Sequence, residues 1–337
     1  TKKRYYSNKT KMFLDEPPEN ITKSNFGEYL PHRKKAVDIN YFFDRAMQKL
    51  RIRTCPDLIK GVRGMSNEEH IPENLAKGIL RAFHDIQVNK DGTIRYDMTE
   101  LPITHFKPKE IGTSVEKLKE LGYEKDIEGK DLINGEQILE LKVQDVILPS
   151  CDGSFERGAD EILFRVGNFV DDLLVKFYDM DSFYNFKEKG DLVGHLILCL
   201  APHISAGMIG RIVGFSKTQG FYAHPYFHCA VRRDCDGDEA AVMLLMDALL
   251  NFSRKYLPGH RGAKQDAPLV LTSCLIPGEV DDMVYDMDIV NNYGLEFYEA
   301  TQEYKLPGDI KLELIKNRLG KDEQYFNFGF THDTTDI

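Results

Sequence analysis

The chain has 337 residues, 42% of them hydrophobic, and a formal net charge of −10. Such a length supports roughly two packed cores, and the composition is that of a globular protein rather than a disordered or fibrous one. The charge excludes a surface coated all round with phosphate-binding residues, yet residues 1–60 hold 14 Lys and Arg against 7 Asp and Glu, leaving −17 on residues 61–337. A basic footprint beside an acidic site is therefore possible; a merely solvated basic end is the rival reading.

The opening TKKRYYSNKTK lacks the apolar run of a signal peptide. Lys2, Lys3 and Arg4, with Arg33, Lys34 and Lys35, are weak candidates for phosphate contact. Residues 12–37, broken by prolines and polar residues, read as an irregular lead-in. Asp38 can then cap a helix with Ile39, Phe42, Phe43, Ala46 and Leu50 on one face. Asp91-Gly92 has the form of a hairpin turn between two strands. Thr113 and Glu116 have capping-box spacing for a short helix that Gly122 would end.

Alternation over 138–148, with Leu139, Leu141 and Val143 against Glu140, Lys142 and Gln144, predicts a strand. A helix is expected after Asn168, with Phe169, Leu173 and Phe177 inward. From 191 to 235, short apolar runs between Gly and Pro read as a compact β module. Its most apolar part, 192–215, contains His195, Pro202, His203 and Arg211, so it reads as buried core and not as a membrane helix. Residues 240–257 are apolar nearly all round and predict a buried helix. The class is α+β. The six cysteines (Cys55, Cys151, Cys199, Cys229, Cys235 and Cys274) contain no C-x-x-C pair, which fits a reducing cytosol better than a zinc or disulfide framework.

The sharpest feature is Arg232-Arg233-Asp234-Cys235-Asp236-Gly237-Asp238-Glu239. In an extended segment Asp234, Asp236 and Asp238 would point to one side, which is electrostatically unfavourable unless a cation neutralises them. Hard oxygen ligands favour Mg²⁺ or Ca²⁺. An EF-hand is excluded, because counting from Asp234 places Gly237 fourth and Leu245 twelfth. A solvated acidic turn and a two-metal phosphoryl-transfer site remain. Arg232 and Arg233 would suit a phosphate or triphosphate. Asp179-Met180-Asp181, without such company, reads as surface. His224 and His228 lack a partner set for zinc and read as residues that support the site from behind or pack, rather than as metal ligands, and Cys235 should point away from the metals.

The run HPYFHCAVRRDCDGD (224–238) resembles the aspartate-bearing segment of the large subunit of the archaeal D-family DNA polymerase. Similar text recurs at 247–258, 266–272, 190–215, 141–149, 91–97, 101–106, 59–66, 295–301 and 328–334, so the resemblance spans about 38–337. The cluster is similar, more distantly, to the aspartate loop of multisubunit RNA polymerases. Both families imply paired double-psi β-barrels with flanking helices. The organisation then reads as a lead-in and helix (1–54), a first barrel (55–150), a connecting helical segment (151–189), a catalytic barrel (190–280) and an α/β extension (281–337). The resemblance implies a DNA-directed DNA polymerase core using two Mg²⁺ ions, for which Mn²⁺ can substitute.

By position, Asp236 and Asp238 match the family's metal ligands. Asp234 stands where the D-family usually has Asn and matches the RNA-polymerase form. Lys60 and Arg63 lie in a lysine-bearing stretch shared by both families and are candidate phosphate contacts, as are Arg261 and Lys264 in GHRGAKQDAP; surface basics are the rival reading for each. The implied substrates are primer-template DNA and dNTPs. The implied partners are a small exonuclease subunit and a sliding clamp, in the archaeal cytosol and without a membrane. Family members are longer and carry zinc modules, so this chain reads as a core. An RNA polymerase core and a non-catalytic nucleic-acid scaffold are the alternatives.

Overall fold

The computed structural model describes residues 4–7, 12–14, 29–32, 38–54, 56–62, 71–257 and 269–331. The chain divides into two compact units, 1–46 and 47–337. In the first, β1 (Arg4–Ser7), β2 (Met12–Leu14) and β3 (Tyr29–His32) form an antiparallel sheet of order β2-β1-β3. Two of these strands lie in the stretch expected to be irregular. Helix α1 (Ile39–Leu50) starts where the sequence places it, with the Asp38 carboxylate accepting the Tyr41 amide at 3.2 Å. Its apolar face is only partly covered: Leu50 is buried, while Ile39 and Phe42 are exposed.

The second unit is built on β4 (Tyr96–Pro102), β5 (His105–Phe106), β6 (Leu139–Glu140), β7 (Asp145–Pro149), β8 (Leu196–Leu200), β9 (Ala206–Ser216), β10 (Gly220–Ala223), β11 (Glu239–Leu244) and β12 (Val270–Thr272). β5 and β6 form a small ladder of their own. The other seven strands run in the order β12-β9-β7-β10-β4-β11-β8, and β8 also pairs with β9. Six strands therefore close into a ring, with β12 beside the start of β9. The eleven-residue β9 makes closure possible, because one edge pairs with β8 while the other pairs with β12 and then β7. The ladder is mixed: β4–β10 and β7–β9 are parallel, whereas β11 is antiparallel to both its neighbours.

The two zones expected to form separate barrels share this one sheet. β4 and β7 come from 55–150, and they sit between β9, β10 and β11 from 190–280. Alternation in a sequence says which face a residue lines but not which strand it will pair with. The 281–337 segment carries α7 (Leu295–Gln302) and short helical turns, with one isolated bridge between Asp288 and Leu314.

Several local expectations shift. The strand over 138–148 splits into β6 and β7 around a turn in which the Asp145 amide donates to the Lys142 carbonyl. The helix expected over 240–257 divides into strand β11 and the shorter α6 (Leu245–Asn251). β11 is flanked on both edges by strands and buried from Ala240 to Leu244, so it shows the same unbroken apolar text as a buried helix. Helix α4 (Ala159–Asp172) begins nine residues before Asn168 and continues into a π turn at 173–177. Phe169 and Leu173 are buried as expected. The cap of α3 (Val115–Glu120) is Ser114, not Thr113, whose hydroxyl donates to the Val213 carbonyl instead. The Asp91-Gly92 turn forms, with Gly92 at φ 94°, but only its downstream strand, β4, exists. Among the described residues no helix is long and apolar enough to cross a membrane.

Candidate active site

The aspartate loop leaves helix α5 (Pro225–Ala230) and returns to the ring as β11. His224 starts α5: its Nδ1 accepts the Tyr226 amide at 3.0 Å, and Pro225 follows with the φ a first turn needs. Burial holds the His224 imidazole neutral, with its pKa near 3. After Val231 the backbone enters the left-handed region three times, at Arg232 (φ 60°), Cys235 (φ 61°) and Gly237 (φ 95°). Gly237 takes that conformation without a Cβ penalty. The segment is thus a sequence of bends, and the alternation that would aim three carboxylates at one point does not hold here.

Asp234, Asp236 and Asp238 are all exposed. Arg232 is exposed, while the Arg233 side chain is mostly buried and donates to Asp238 Oδ2 at 2.8 Å. Cys235 is hydrogen-bonded to the Cys229 thiol, and that bond together with burial pushes it well above the ordinary range. It is a neutral thiol turned toward α5. Beside the loop lies a cavity of about 340 Å³ lined by Tyr96, Asp97, Thr99, Glu156, Gln219, Gly237 and Glu239, among others. Desolvation, and then the Glu239 carboxylate on the adjacent strand, push the Asp97 carboxyl up; Arg95 opposes them. A larger cavity of about 610 Å³ lies away from the aspartates, and its Glu140 is already taken by the Asn327 and Phe328 amides.

Among the described residues no three His, Cys, Asp or Glu side chains are gathered closely enough to hold a metal ion. The donor chemistry nonetheless fits Mg²⁺, because the loop offers three solvent-facing carboxylates and no competing soft ligand. Among the described residues only Asp238 of the three is engaged, by Arg233.

Of Lys60, Arg63, Arg261 and Lys264, the first is paired with another carboxylate and the others fall outside the described residues. The Lys60 ammonium is paired with Asp85 at 2.9 Å, and Arg157 and Arg165 reach the same carboxylate at 2.7 and 3.2 Å. Lys60 and Arg157 hold the Asp85 carboxyl down at about 2. Arg63, Arg261 and Lys264 fall outside the described residues. Asp179 and Asp181 are exposed, as read from the sequence.

Sequence reasoning singled out His228 as a supporting or packing residue but missed its partner beneath the loop. Glu100 on β4 and His228 on α5 are both fully buried, with His228 Nδ1 3.0 Å from Glu100 Oε2. The other ring nitrogen, Nε2, donates to the Leu101 carbonyl at 3.1 Å. A signal was available, since period-two alternation puts Glu100 on the inward face with Met98.

An acidic, arginine-flanked loop thus sits on a closed β ring, and the family comparisons say which proteins the chain resembles. The model of the catalytic domain of the DNA polymerase II large subunit DP2 matches residues 51–337. The chain belongs to this family. It is 54% identical over 308 residues to the DNA polymerase II large subunit of Archaeoglobus fulgidus, covering 91% of this chain and 26% of that protein. The Pyrococcus furiosus protein of the same name is 54% identical over 309 residues, or 91% of this chain and 24% of the relative. That of Methanocella arvoryzae is 50% identical over 309 residues, or 91% and 27%. The chain thus spans about a quarter of the length of the curated relatives it matches.

Proposed function

We propose that this chain carries the nucleotidyl-transfer site of a DNA-directed DNA polymerase, centred on Asp234, Asp236 and Asp238. The observation that carries this reading is the loop itself: three exposed carboxylates and two arginines between α5 and β11, in a chain of the DP2 catalytic-domain family. The six-stranded ring is read as a double-psi β-barrel, the architecture the resemblance implies.

Asp236 and Asp238, with Asp234, would hold two Mg²⁺ ions, or Mn²⁺ in their place, which would activate the primer 3′-hydroxyl and stabilise the leaving pyrophosphate. Arg232, exposed at the loop's entrance, suits the incoming triphosphate. Arg233 screens Asp238 in the absence of other cations. Lys60, Arg63, Arg261 and Lys264 serve as contacts to substrate or template phosphates, Lys60 by exchanging Asp85 for one. The substrates are primer-template DNA and dNTPs. In the archaeal cytosol a small exonuclease subunit and a sliding clamp would complete the enzyme.

The test is primer extension on a primed template with Mg²⁺, offering dNTPs and rNTPs separately. Incorporation of dNTPs supports the reading. Primer-independent use of rNTPs would favour the RNA-polymerase alternative, for which Asp rather than Asn at 234 is the specific observation. Failure to bind metal even with template and nucleotide would leave a nucleic-acid scaffold.

A further inference from the structure

Resting on that reading of the loop, we propose that Glu100 and His228 are positioning residues, whose buried contact sets the distance between the two ends of the aspartate loop. The carrying observation is a closed circuit of contacts. At the loop's start, the Arg233 amide donates to the His228 carbonyl at 2.9 Å. At its end, the Glu100 amide donates to the Asp238 carbonyl at 2.9 Å. The two residues that receive these ends then meet through their side chains, His228 Nδ1 to Glu100 Oε2 at 3.0 Å.

The latch has a defined chemistry. The Leu101 carbonyl can only accept, so His228 Nε2 carries a proton. Nδ1 lies 3.0 Å from the carboxylate Oε2 without the alignment of a formed hydrogen bond, so the two groups meet as a close buried contact of polar atoms that have no other partner. Both side chains have zero solvent exposure, so neither can exchange its partner for water. One imidazole thus meets β4 at two points, by a hydrogen bond to the Leu101 carbonyl and a close contact with the Glu100 carboxylate. Helix α5 carries the loop's start, and strand β4 hydrogen-bonds its end at Asp238. Sliding one against the other would pull Arg233 away from Asp238.

Glu100→Gln keeps the side chain's size and removes its charge. The double variant Glu100→Met/His228→Phe removes both polar partners, so that neither is left buried alone. Amide hydrogen exchange and Mg²⁺-dependent primer extension are measured on the full 337-residue chain. In both variants the amides of 231–239 and of Glu100 should exchange at least ~10-fold faster, while β8 and β9 stay protected. The half-saturating Mg²⁺ concentration should rise roughly 10-fold, with kcat at saturating Mg²⁺ changed far less, the size expected when support behind a metal ligand is removed. A purely structural role would lower the melting temperature and leave both the loop exchange and the Mg²⁺ dependence unchanged, and that result overturns the proposal. If wild type extends no primer, the functional reading fails while the exchange experiment still decides whether the latch positions the loop.

Discussion

Strand β11 has aspartates at both ends, and the two ends behave as opposites. Before it, Asp234, Asp236 and Asp238 face water, and among the described residues a single arginine, on Asp238, pairs with them. After it, Asp247 on α6 is fully buried, with Oδ2 accepting the Ile94 amide and Oδ1 accepting Asn251 Nδ2, each at 2.8 Å. Asn251 in turn accepts from the Lys77 ammonium at 2.8 Å. Asp247 is a spent carboxylate that joins α6 to the turn before β4. The loop aspartates keep lone pairs to offer a cation. The same residue type is therefore committed to internal hydrogen bonds at one end of a strand and left open to solvent at the other, and what separates the two is where the hydrogen bonds go.

The largest expected effect tests the open end. Asp236→Asn or Asp238→Asn should reduce primer extension by at least ~10²-fold, on the order of 3 kcal/mol, as for one strong transition-state electrostatic contact. Both side chains are exposed, so the melting temperature should stay near wild type. Near-normal extension in either variant would remove the loop from the chemistry.

The buried end should answer to pH instead. Burial raises the Asp247 carboxyl from 3.8 to about 6 in the fold. A raised carboxyl favours the protonated fold, so its contribution is complete below about pH 4 and is lost as pH rises through about 6. The loss is at most roughly 3 kcal/mol, flat again above that window. Asp85, held at about 2, titrates below it with the opposite sign and is half exposed. Comparing melts of wild type and Asp247→Asn across roughly pH 4–7 isolates the effect. The wild type should lose stability relative to the variant as pH rises, and parallel curves would show that Asp247 does not titrate there.

These two ends were unequally legible in the sequence. The loop stood out because its charges are closely spaced, sit beside a glycine and arginines, and lie in text similar to a known family. Asp247 was not singled out within a segment read as apolar nearly all round, since its partners, Ile94 and Asn251, include one 153 residues away. Strands with local signatures were found, but their pairing was not. Nothing in Tyr96–Pro102 says that it will lie between β10 and β11. The convergence of the three carboxylates was inferred from extended geometry, and left-handed residues at 232, 235 and 237 replace that geometry with bends. The Glu100–His228 pair joins positions far apart in the chain, a separation over which periodicity carries no information.

An acidic loop also needs cations elsewhere if DNA is to approach it. Replacing Arg261 and Lys264 together should flatten the salt dependence of DNA affinity, without changing sequence preference. The log–log slope should fall by roughly one unit for each phosphate that is no longer neutralised. Titrations at several salt concentrations measure it. An unchanged slope would mean that these two residues do not touch the backbone of the DNA.

The smallest effect should fall within the loop itself. Asp234 is exposed, makes no ion pair among the described residues, and is the one aspartate that the D-family resemblance replaces with Asn. Asn keeps a carbonyl oxygen of the same reach, so a donor atom survives while one negative charge leaves a crowded segment. Mutual repulsion among the remaining carboxylates falls, which offsets part of the weakened attraction for a divalent ion. Asp234→Asn should therefore lower extension by less than ~10-fold, within about 1.4 kcal/mol, and the change should appear mainly in the Mg²⁺ concentration required. Extension rates across a Mg²⁺ series for the variant and the wild type decide it. A collapse as deep as that of Asp236→Asn would make all three carboxylates equivalent ligands, the arrangement of the RNA-polymerase loop, and would move this chain's chemistry toward that family.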